Sequence, residues 1–289
     1  MTRFLFYLCT LCTIVVMSSC EKAIVTEQPD APDGNLTVTV FQIEKTLFGN
    51  LTRTEKPVSE ACTHMNFAVY DEEGARVKQI NQTKGTANYG TASFMLEPGD
   101  YTLVVVGHSS DKNPTMTDLK KIQFTNATGY SETFLYSATV TIGEEPVEKQ
   151  VALDRIVSMC RFVVTDDIPA EVNTMRFYYT GGSGAFNALT GLGSVNSKQT
   201  VNFDVSSNSQ KQFDLYTFLH EVESDIALKV TAFDAKDNVL YERSFDVPME
   251  QNHITWLSGA FFNGSGSSSV TITGVTVNTD WAGETHLSF

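Results

Sequence analysis

The chain has 289 residues, a formal net charge of −14 and 42% hydrophobic residues. This length suits about two domains of ordinary size. A chain so acidic, whose Lys and Arg residues form no basic run, lacks the positive patch that nucleic-acid binding requires. We therefore expect no nucleic-acid partner and interpret the acidity as an aid to solubility.

The first twenty residues have the pattern of an export signal. Arg3 supplies one positive charge, and residues 4–17 carry none. This apolar run is shorter than the about 20 residues that a membrane-spanning helix needs, and it has the flanks of a signal-peptide core. It ends in Met17-Ser18-Ser19-Cys20, which resembles the lipobox of bacterial lipoproteins. The resemblance implies cleavage between Ser19 and Cys20 and lipid attachment to the Cys20 sulfur.

These signals divide the N-terminal part of the chain into two segments. Residues 1–19 are the predicted lipoprotein signal peptide, and residues 20–35 are a polar segment that we interpret as a flexible tether. Two or more acyl chains hold a protein stably in a bilayer, whereas a single chain binds marginally. An ordinary signal peptide followed by a chance cysteine remains the alternative.

From Leu36 onward, apolar residues alternate with polar ones, and no stretch has a sustained helical period. Pro98 and Gly99 predict a type II turn. Residues 101–106 are apolar on both faces except at Thr102, which predicts a central, buried strand. The succession of an apolar residue, Pro98-Gly99 and Tyr101 is similar to that of transthyretin-like β-sandwiches. We predict an all-β fold of two tandem transthyretin-like (Ig-like) β-sandwich domains.

The polar segment Gly143-Glu144-Glu145-Pro146 suggests the boundary between the two domains. We predict an N-terminal β-sandwich over 36–148 and a C-terminal β-sandwich over 149–289. Further strands are predicted at 151–165, 175–179, 212–218, 226–233, 239–247 and 254–262. After the Gly/Ser-rich residues 263–269, a terminal strand is predicted at 270–277, with a bulge or bend at Gly274.

No set of residues predicts catalysis, a metal site or a cofactor. The five histidines (His64, His108, His220, His253 and His286) lack the spacing of metal ligands. Asp166-Asp167 is interpreted as a solvated strand end. Cys62 and Cys160 remain after signal cleavage; Cys160 alternates with apolar residues like a core residue, and a disulfide between the two stays open. We predict that the chain is not an enzyme. A surface glycosidase or protease is one alternative, since the separation of paired carboxylates for glycoside hydrolysis is a property of the fold.

The order of several motifs resembles the FimB/Mfa-type family of fimbrial anchor and assembly lipoproteins from Bacteroidales-type bacteria. The resemblance covers nearly the whole mature chain, and its more specific elements are Leu-x-Arg at Leu153-Asp154-Arg155 and Trp-x-Gly at Trp281-Ala282-Gly283. The other motifs, in chain order, are the lipobox, Tyr70-Asp71-Glu72-Glu73-Gly74, Leu96-Glu97-Pro98-Gly99-Asp100-Tyr101, Asp167-Ile168-Pro169, Val247-Pro248-Met249-Glu250-Gln251-Asn252 and Gly259-Ala260-Phe261-Phe262.

The resemblance implies a lipid-anchored protein of the outer membrane that attaches a fimbrial shaft to the cell and limits its length. Its implied partners are fimbrial shaft or accessory subunits. A glycan-binding surface lipoprotein of a polysaccharide-uptake system is the alternative function, and such a protein would present exposed aromatic residues. Trp256 and Trp281 are the only tryptophans, and the apolar strand around Trp256 suggests that this residue lies in the core.

Overall fold

The computed structural model describes residues 34–44, 58–125, 130–206, 210–263, 271–276 and 281–289. The predicted signal peptide, the cleavage position between Ser19 and Cys20, the lipid attachment at Cys20 and most of the predicted tether lie outside the described residues. No helix in the described ranges is long and apolar enough to cross a membrane.

The prediction of an all-β fold is confirmed. The described ranges contain one short helix, α1 (Val58–Ala61), and twenty strands. The strands of the first half are β1 (Leu36–Glu44), β2 (His64–Tyr70), β3 (Arg76–Thr83), β4 (Thr91–Phe94), β5 (Gly99–His108), β6 (Thr115–Asp118), β7 (Lys121–Gln123), β8 (Thr133–Ile142) and β9 (Val147–Arg155). Those of the second half are β10 (Ser158–Val164), β11 (Thr174–Thr180), β12 (Gly182–Ser183), β13 (Ala185–Phe186), β14 (Gln199–Asp204), β15 (Gln212–Leu219), β16 (Glu223–Phe233), β17 (Val239–Glu250), β18 (His253–Gly259), β19 (Thr271–Thr276) and β20 (Gly283–Ser288).

The first half is a seven-stranded sheet in the order β3-β2-β5-β8-β9-β1-β4. Strands β8 and β9 pair only at Phe134↔Arg155 and Leu135↔Asp154, so the sheet bends there. It encloses one hydrophobic cluster to which β1, β4 and β9 contribute from one side and β2, β5 and β8 from the other. Strand β5 lies between β2 and β8 with residues 103–106 buried, as the sequence predicted.

The second half is a sandwich of two sheets. A six-stranded sheet, β12-β15-β10-β18-β20-β19, faces a four-stranded sheet, β14-β11-β16-β17. Alternating residues of both sheets fill the space between them, including Phe162, Phe177 and Phe245. This arrangement is expected when apolar and polar residues alternate along each strand, because one face of each sheet then packs against the other sheet.

A third hydrophobic cluster contains residues of both halves. Val104 and Leu135 from the seven-stranded sheet meet Met159 and Ile254 from the six-stranded sheet and Phe186 from β13. Strand β13 also pairs with β7, which is part of a small three-stranded sheet. Residues 32–289 accordingly form one compact unit.

The division into domains at 148 and 149 stays a prediction. Strand β9 runs across this position and pairs with β1 along its length. One local prediction is wrong. Gly99 has a φ of 157° and pairs with Ile142 as the first residue of β5, so its backbone is nearly extended and the type II turn is not formed there.

Candidate functional site

Strand β19 forms one edge of the six-stranded sheet and pairs antiparallel with β20. Its sequence, TITGVT, contains no charged residue and no proline. Sheet edges are normally protected against pairing with other chains by charges, prolines or bulges. The structure places a strand at 271–276, within the predicted range 270–277. This strand lies at a sheet edge and carries none of the charges or prolines that usually protect one.

The other described edge strands of six residues or more carry such protection. Strand β3 contains Arg76 and Lys78, β14 contains Asp204, and β17 contains Pro248 together with several charged residues. Pairing of β19 is restrained only by a register shift between Ile272 and Gly274, which leaves Thr273 without a register partner. This shift confirms the bulge predicted at Gly274 and adds local twist to the edge.

Strand β20 fixes β19 to the body of the protein. It lies between β18, with which it is parallel, and β19. Leu287 is buried in the sandwich core, and Phe289 stacks on Phe162 at 5.3 Å between ring centroids. Full burial of one large apolar side chain stabilises the folded state by about 1.5–3 kcal/mol. Because β20 contributes to the core, its docking holds β19 in place.

Arg155 connects Trp281, two residues before β20, to the seven-stranded sheet. The Arg155 guanidinium carbon lies 4.1 Å from the centre of the Trp281 ring and 5.0 Å from that of Phe134. Its Nη1 donates to Asn252 Oδ1 at 3.2 Å, and its Nη2 forms a 3.1 Å ion pair with Glu132 Oε1. The side chain of Arg155 is 1% exposed, so its charge is balanced inside the protein.

This junction brings together the two most specific sequence elements of the family resemblance. Leu153-Asp154-Arg155 ends β9, and Trp281-Ala282-Gly283 leads into β20. Asn252 has a φ of 59°, a conformation that Asn adopts more readily than most residues. A Cβ atom at Gly283 would lie 2.5 Å from His253 Nε2, so a larger residue there would displace the His253 ring, which packs over this glycine. The two motifs therefore meet where the end of β9, in the seven-stranded sheet, contacts the residues that lead into β20, in the six-stranded sheet.

The family model for a family of unknown function (DUF6562) matches residues 33–287 of the chain. The chain belongs to this family. A search of the curated proteins found no significant match. The family description names no activity, so it leaves the function of this member to be proposed.

Several solved structures are similar to this DUF6562 member at low identity. A candidate adhesin from Bacteroides ovatus is 16% identical, with a TM-score of 0.48 over 70% of this chain and 88% of that chain. A candidate polysaccharide-binding protein from Bacteroides thetaiotaomicron is 11% identical (TM-score 0.43, 74% and 80% covered). The fimbrial anchor protein Mfa2 from Porphyromonas gingivalis is 12% identical (TM-score 0.42, 72% and 80% covered).

The prediction that Trp256 lies in the core is wrong in part. Trp256 is only partly buried and belongs to a row across the six-stranded sheet that pairs Asp214, Arg161, Trp256 and His286 on neighbouring strands. His286 stacks on the indole at 5.5 Å, and the Arg161 guanidinium carbon lies 4.8 Å from its centre. Asp214 accepts two 2.7 Å bonds from Arg161. The outer face of this sheet is therefore held by charged and aromatic contacts.

The two cysteines in the described ranges, Cys62 and Cys160, are free thiols, each buried in a different hydrophobic cluster. Burial raises the pKa of both Cys62 and Cys160 to about 12, so neither is a reactive thiolate at neutral pH.

Asp166, interpreted from sequence as solvated, instead accepts hydrogen bonds from the backbone N–H groups of Phe261, Phe262 and Asn263 at 2.7–2.9 Å. It closes the turn after β18.

Within the described ranges, no group of three or more His, Cys, Asp or Glu residues is placed to hold a metal ion. His64 and His108 stack at 5.0 Å, and His108 belongs to a buried hydrogen-bond network. His108 Nε2 lies 2.9 Å from Asn66 Oδ1, and Asn66 Nδ2 donates to Asn81 and Asn113. Because the backbone N–H of Ser110 donates to His108 Nδ1, the ring is neutral, with its proton on Nε2.

This network predicts a loss of stability in acid. Burial, with a smaller effect of His64, lowers the pKa of His108 from 6.5 to about 3. Between these values the unfolded chain binds a proton that the folded chain does not, so the free energy of unfolding falls as the pH drops. We expect His108 to contribute a loss of about 2 kcal/mol between pH 7.5 and pH 5, measured by urea denaturation. His108→Gln should flatten this pH dependence and His64→Gln should largely preserve it; an unchanged slope in His108→Gln would contradict the assignment.

Proposed function

We propose that the chain is a non-enzymatic, lipid-anchored subunit of the outer membrane that attaches a fimbrial shaft to the cell and limits its length. The lipobox ending in Cys20 and the family resemblance carried by the Arg155 and Trp281 motifs support this role. The observation that carries it in the structure is the uncharged edge of β19, because an unprotected edge is suited to pairing with a strand of another subunit.

The course of the chain is compatible with a partner at β19. Strand β1 runs parallel to β9, with Leu36 opposite Val147 and Glu44 opposite Asp154. The described body therefore starts at one end of the seven-stranded sheet, beside Val147. Arg155 lies at the opposite end, and the chain continues from there into the six-stranded sheet. A lipid on Cys20 would hold the protein to the membrane by the end at which β1 begins, and β19 would stay available to a neighbouring subunit.

The alternative function, glycan binding through exposed tryptophans, loses its simplest site. Trp281 is 4% exposed and lies under Arg155. Trp256 has His286 and Arg161 packed on its ring. A sugar ring binds an aromatic side chain through the open face of the ring, and neither indole offers one.

The edge proposal predicts where a partner can be cross-linked. A photo-reactive phenylalanine placed at Thr273, the bulge residue of β19, should give an adduct with a fimbrial subunit when fimbriated cells are irradiated. The same group placed at Val77, which is 41% exposed on the charged edge strand β3, is the matched control and should give none. Mass spectrometry of the adduct identifies the partner. Failure to form an adduct at Thr273, or equal adducts at both positions, would count against the proposal.

A further inference from the structure

Three aromatic side chains in the described part of the chain lie outside the hydrophobic clusters and are not packed against them: Phe41, Tyr178 and Phe233. Phe41 stands alone at the bulge of β1. Tyr178 and Phe233 line the same groove of about 560 Å³ on the outer face of the four-stranded sheet. Aromatic residues that do not fill a core and that share a surface groove indicate a binding site.

The register of the four strands builds this groove in three rows. Phe233 pairs with Thr174 and Val239, Arg176 pairs with Asn202 and Thr231, and Tyr178 pairs with Thr200 and Lys229. The floor and walls are therefore hydroxyl, amide and charged groups around two aromatic rings. The groove spans five residues of β16, from Lys229 to Phe233, which is about 13 Å along the strand.

The two aromatic residues have different roles. The Arg176 guanidinium carbon lies 4.4 Å from the centre of the Phe233 ring, and Arg176 Nε donates to Asn202 Oδ1 at 3.1 Å. This contact covers Phe233, which is 7% exposed, and fixes the guanidinium with its other donors available. Tyr178 is partly exposed; among the described residues, no ring or cation stacks on it and no side chain or backbone group bonds its hydroxyl.

The charges of the groove select against an ionic ligand. Lys229 forms a 3.4 Å ion pair with Glu242, and Glu242 also accepts a 3.1 Å bond from the Thr231 hydroxyl. Asp204 lies at the end of the Phe233 row, opposite Thr174, and Asp246 lies in the row beyond that of Tyr178, on the same face. An anion would meet these three carboxylates, and a cation would meet Arg176 and Lys229. A neutral ligand rich in hydroxyl groups can use donors and acceptors of both kinds.

We propose that this face binds a neutral oligosaccharide, with one sugar ring stacked on Tyr178 and its hydroxyl groups bonded to Arg176, Asn202 and Glu242. The aromatic ring offers an apolar surface to the C–H groups of the sugar, and the surrounding polar groups fix its orientation. The groove lies on the four-stranded sheet and uses no residue of β19. Glycan binding is therefore independent of the proposed fimbrial partner, and either role can fail without the other.

Calorimetry on the full-length lipidated protein, kept in a detergent without a sugar head group, tests this site. The probes are cellohexaose, maltohexaose, mannohexaose and chitohexaose that is fully N-acetylated, with hexagalacturonate as the charged counterpart. We expect at least one neutral hexasaccharide to bind and Tyr178→Ala to weaken its binding at least tenfold. Tyr178→Phe, which keeps the ring, should stay within about threefold of the unsubstituted protein, since the contact is mainly to the ring.

Thr180→Ala provides the matched control, because Thr180 lies two residues further on the same face of β11 but does not line the groove. Its affinity should equal that of the unsubstituted protein, and circular dichroism should show that all variants are folded. Three results would overturn the proposal: no binding of any neutral hexasaccharide at millimolar concentration, tighter binding of hexagalacturonate than of the neutral probes, or unchanged affinity in Tyr178→Ala.

Discussion

Replacing Arg155 by alanine is expected to lower the free energy of unfolding by about 3 kcal/mol, the low end of the cost of removing one partner of a buried ion pair. We choose the low end because the side chain of Glu132 is 34% exposed and regains water when the pair is broken. The substitution also removes the stacking on Trp281 and the hydrogen bond to Asn252. Urea denaturation followed by tryptophan fluorescence measures the change, since Trp281 contacts the guanidinium.

Two further variants separate the junction from general effects of losing an arginine. Arg76→Ala removes an exposed arginine of edge strand β3 and should change the free energy of unfolding by no more than about 0.5 kcal/mol. Arg155→Lys keeps the charge but loses the planar fork that reaches Asn252 and Glu132 together, so its loss should lie between the other two. Equal stability of Arg155→Ala and the unsubstituted protein would contradict the role of Arg155 as the connection to β20.

The alternation of apolar and polar residues was sufficient to predict the all-β class and most of the long strands. It succeeds where one strand face packs on a core, as along β11 and β15. The short strands β6 and β7 escaped prediction because they are three or four residues long and bury one residue each. Periodicity is not readable over so few positions.

The predicted strand at 151–165 shows a different limit. The structure divides this stretch into β9, which belongs to the seven-stranded sheet, and β10, which belongs to the six-stranded sheet. Residues 156 and 157 at the break are both buried and apolar, because the chain passes there through the cluster shared by the two halves. The sequence was read as one continuous strand, since the buried apolar residues at the break hide the change of sheet.

The candidate site was only partly predictable. A strand near the end of the chain followed from the Thr-Ile-Thr and Val-Thr-Val alternation around Gly274. Its position at a sheet edge did not, because alternation does not show which neighbours a strand pairs with. The junction beneath it did not, because Arg155, Asn252 and Trp281 are far apart in the chain and meet only through the fold. Tyr178 also gave no signal, since it lies beside Tyr179 in a strand where one tyrosine is buried and the other faces solvent. Which of two adjacent aromatic residues faces outward depends on strand register.

Replacing Cys20 by alanine in fimbriated cells tests the anchor role most directly. Each methylene that an acyl chain buries contributes about 0.8 kcal/mol to membrane binding, so losing the acyl chains should release the protein. We predict that Cys20→Ala no longer incorporates labelled fatty acid and leaves the membrane fraction, and that fimbriae appear in the culture medium. Ser18→Ala keeps a small residue in the lipobox and should leave lipid labelling, fractionation and attached fimbriae unchanged. Continued labelling and membrane fractionation of Cys20→Ala would contradict the lipid anchor, and its release with fimbriae still attached to the cells would contradict the fimbrial role.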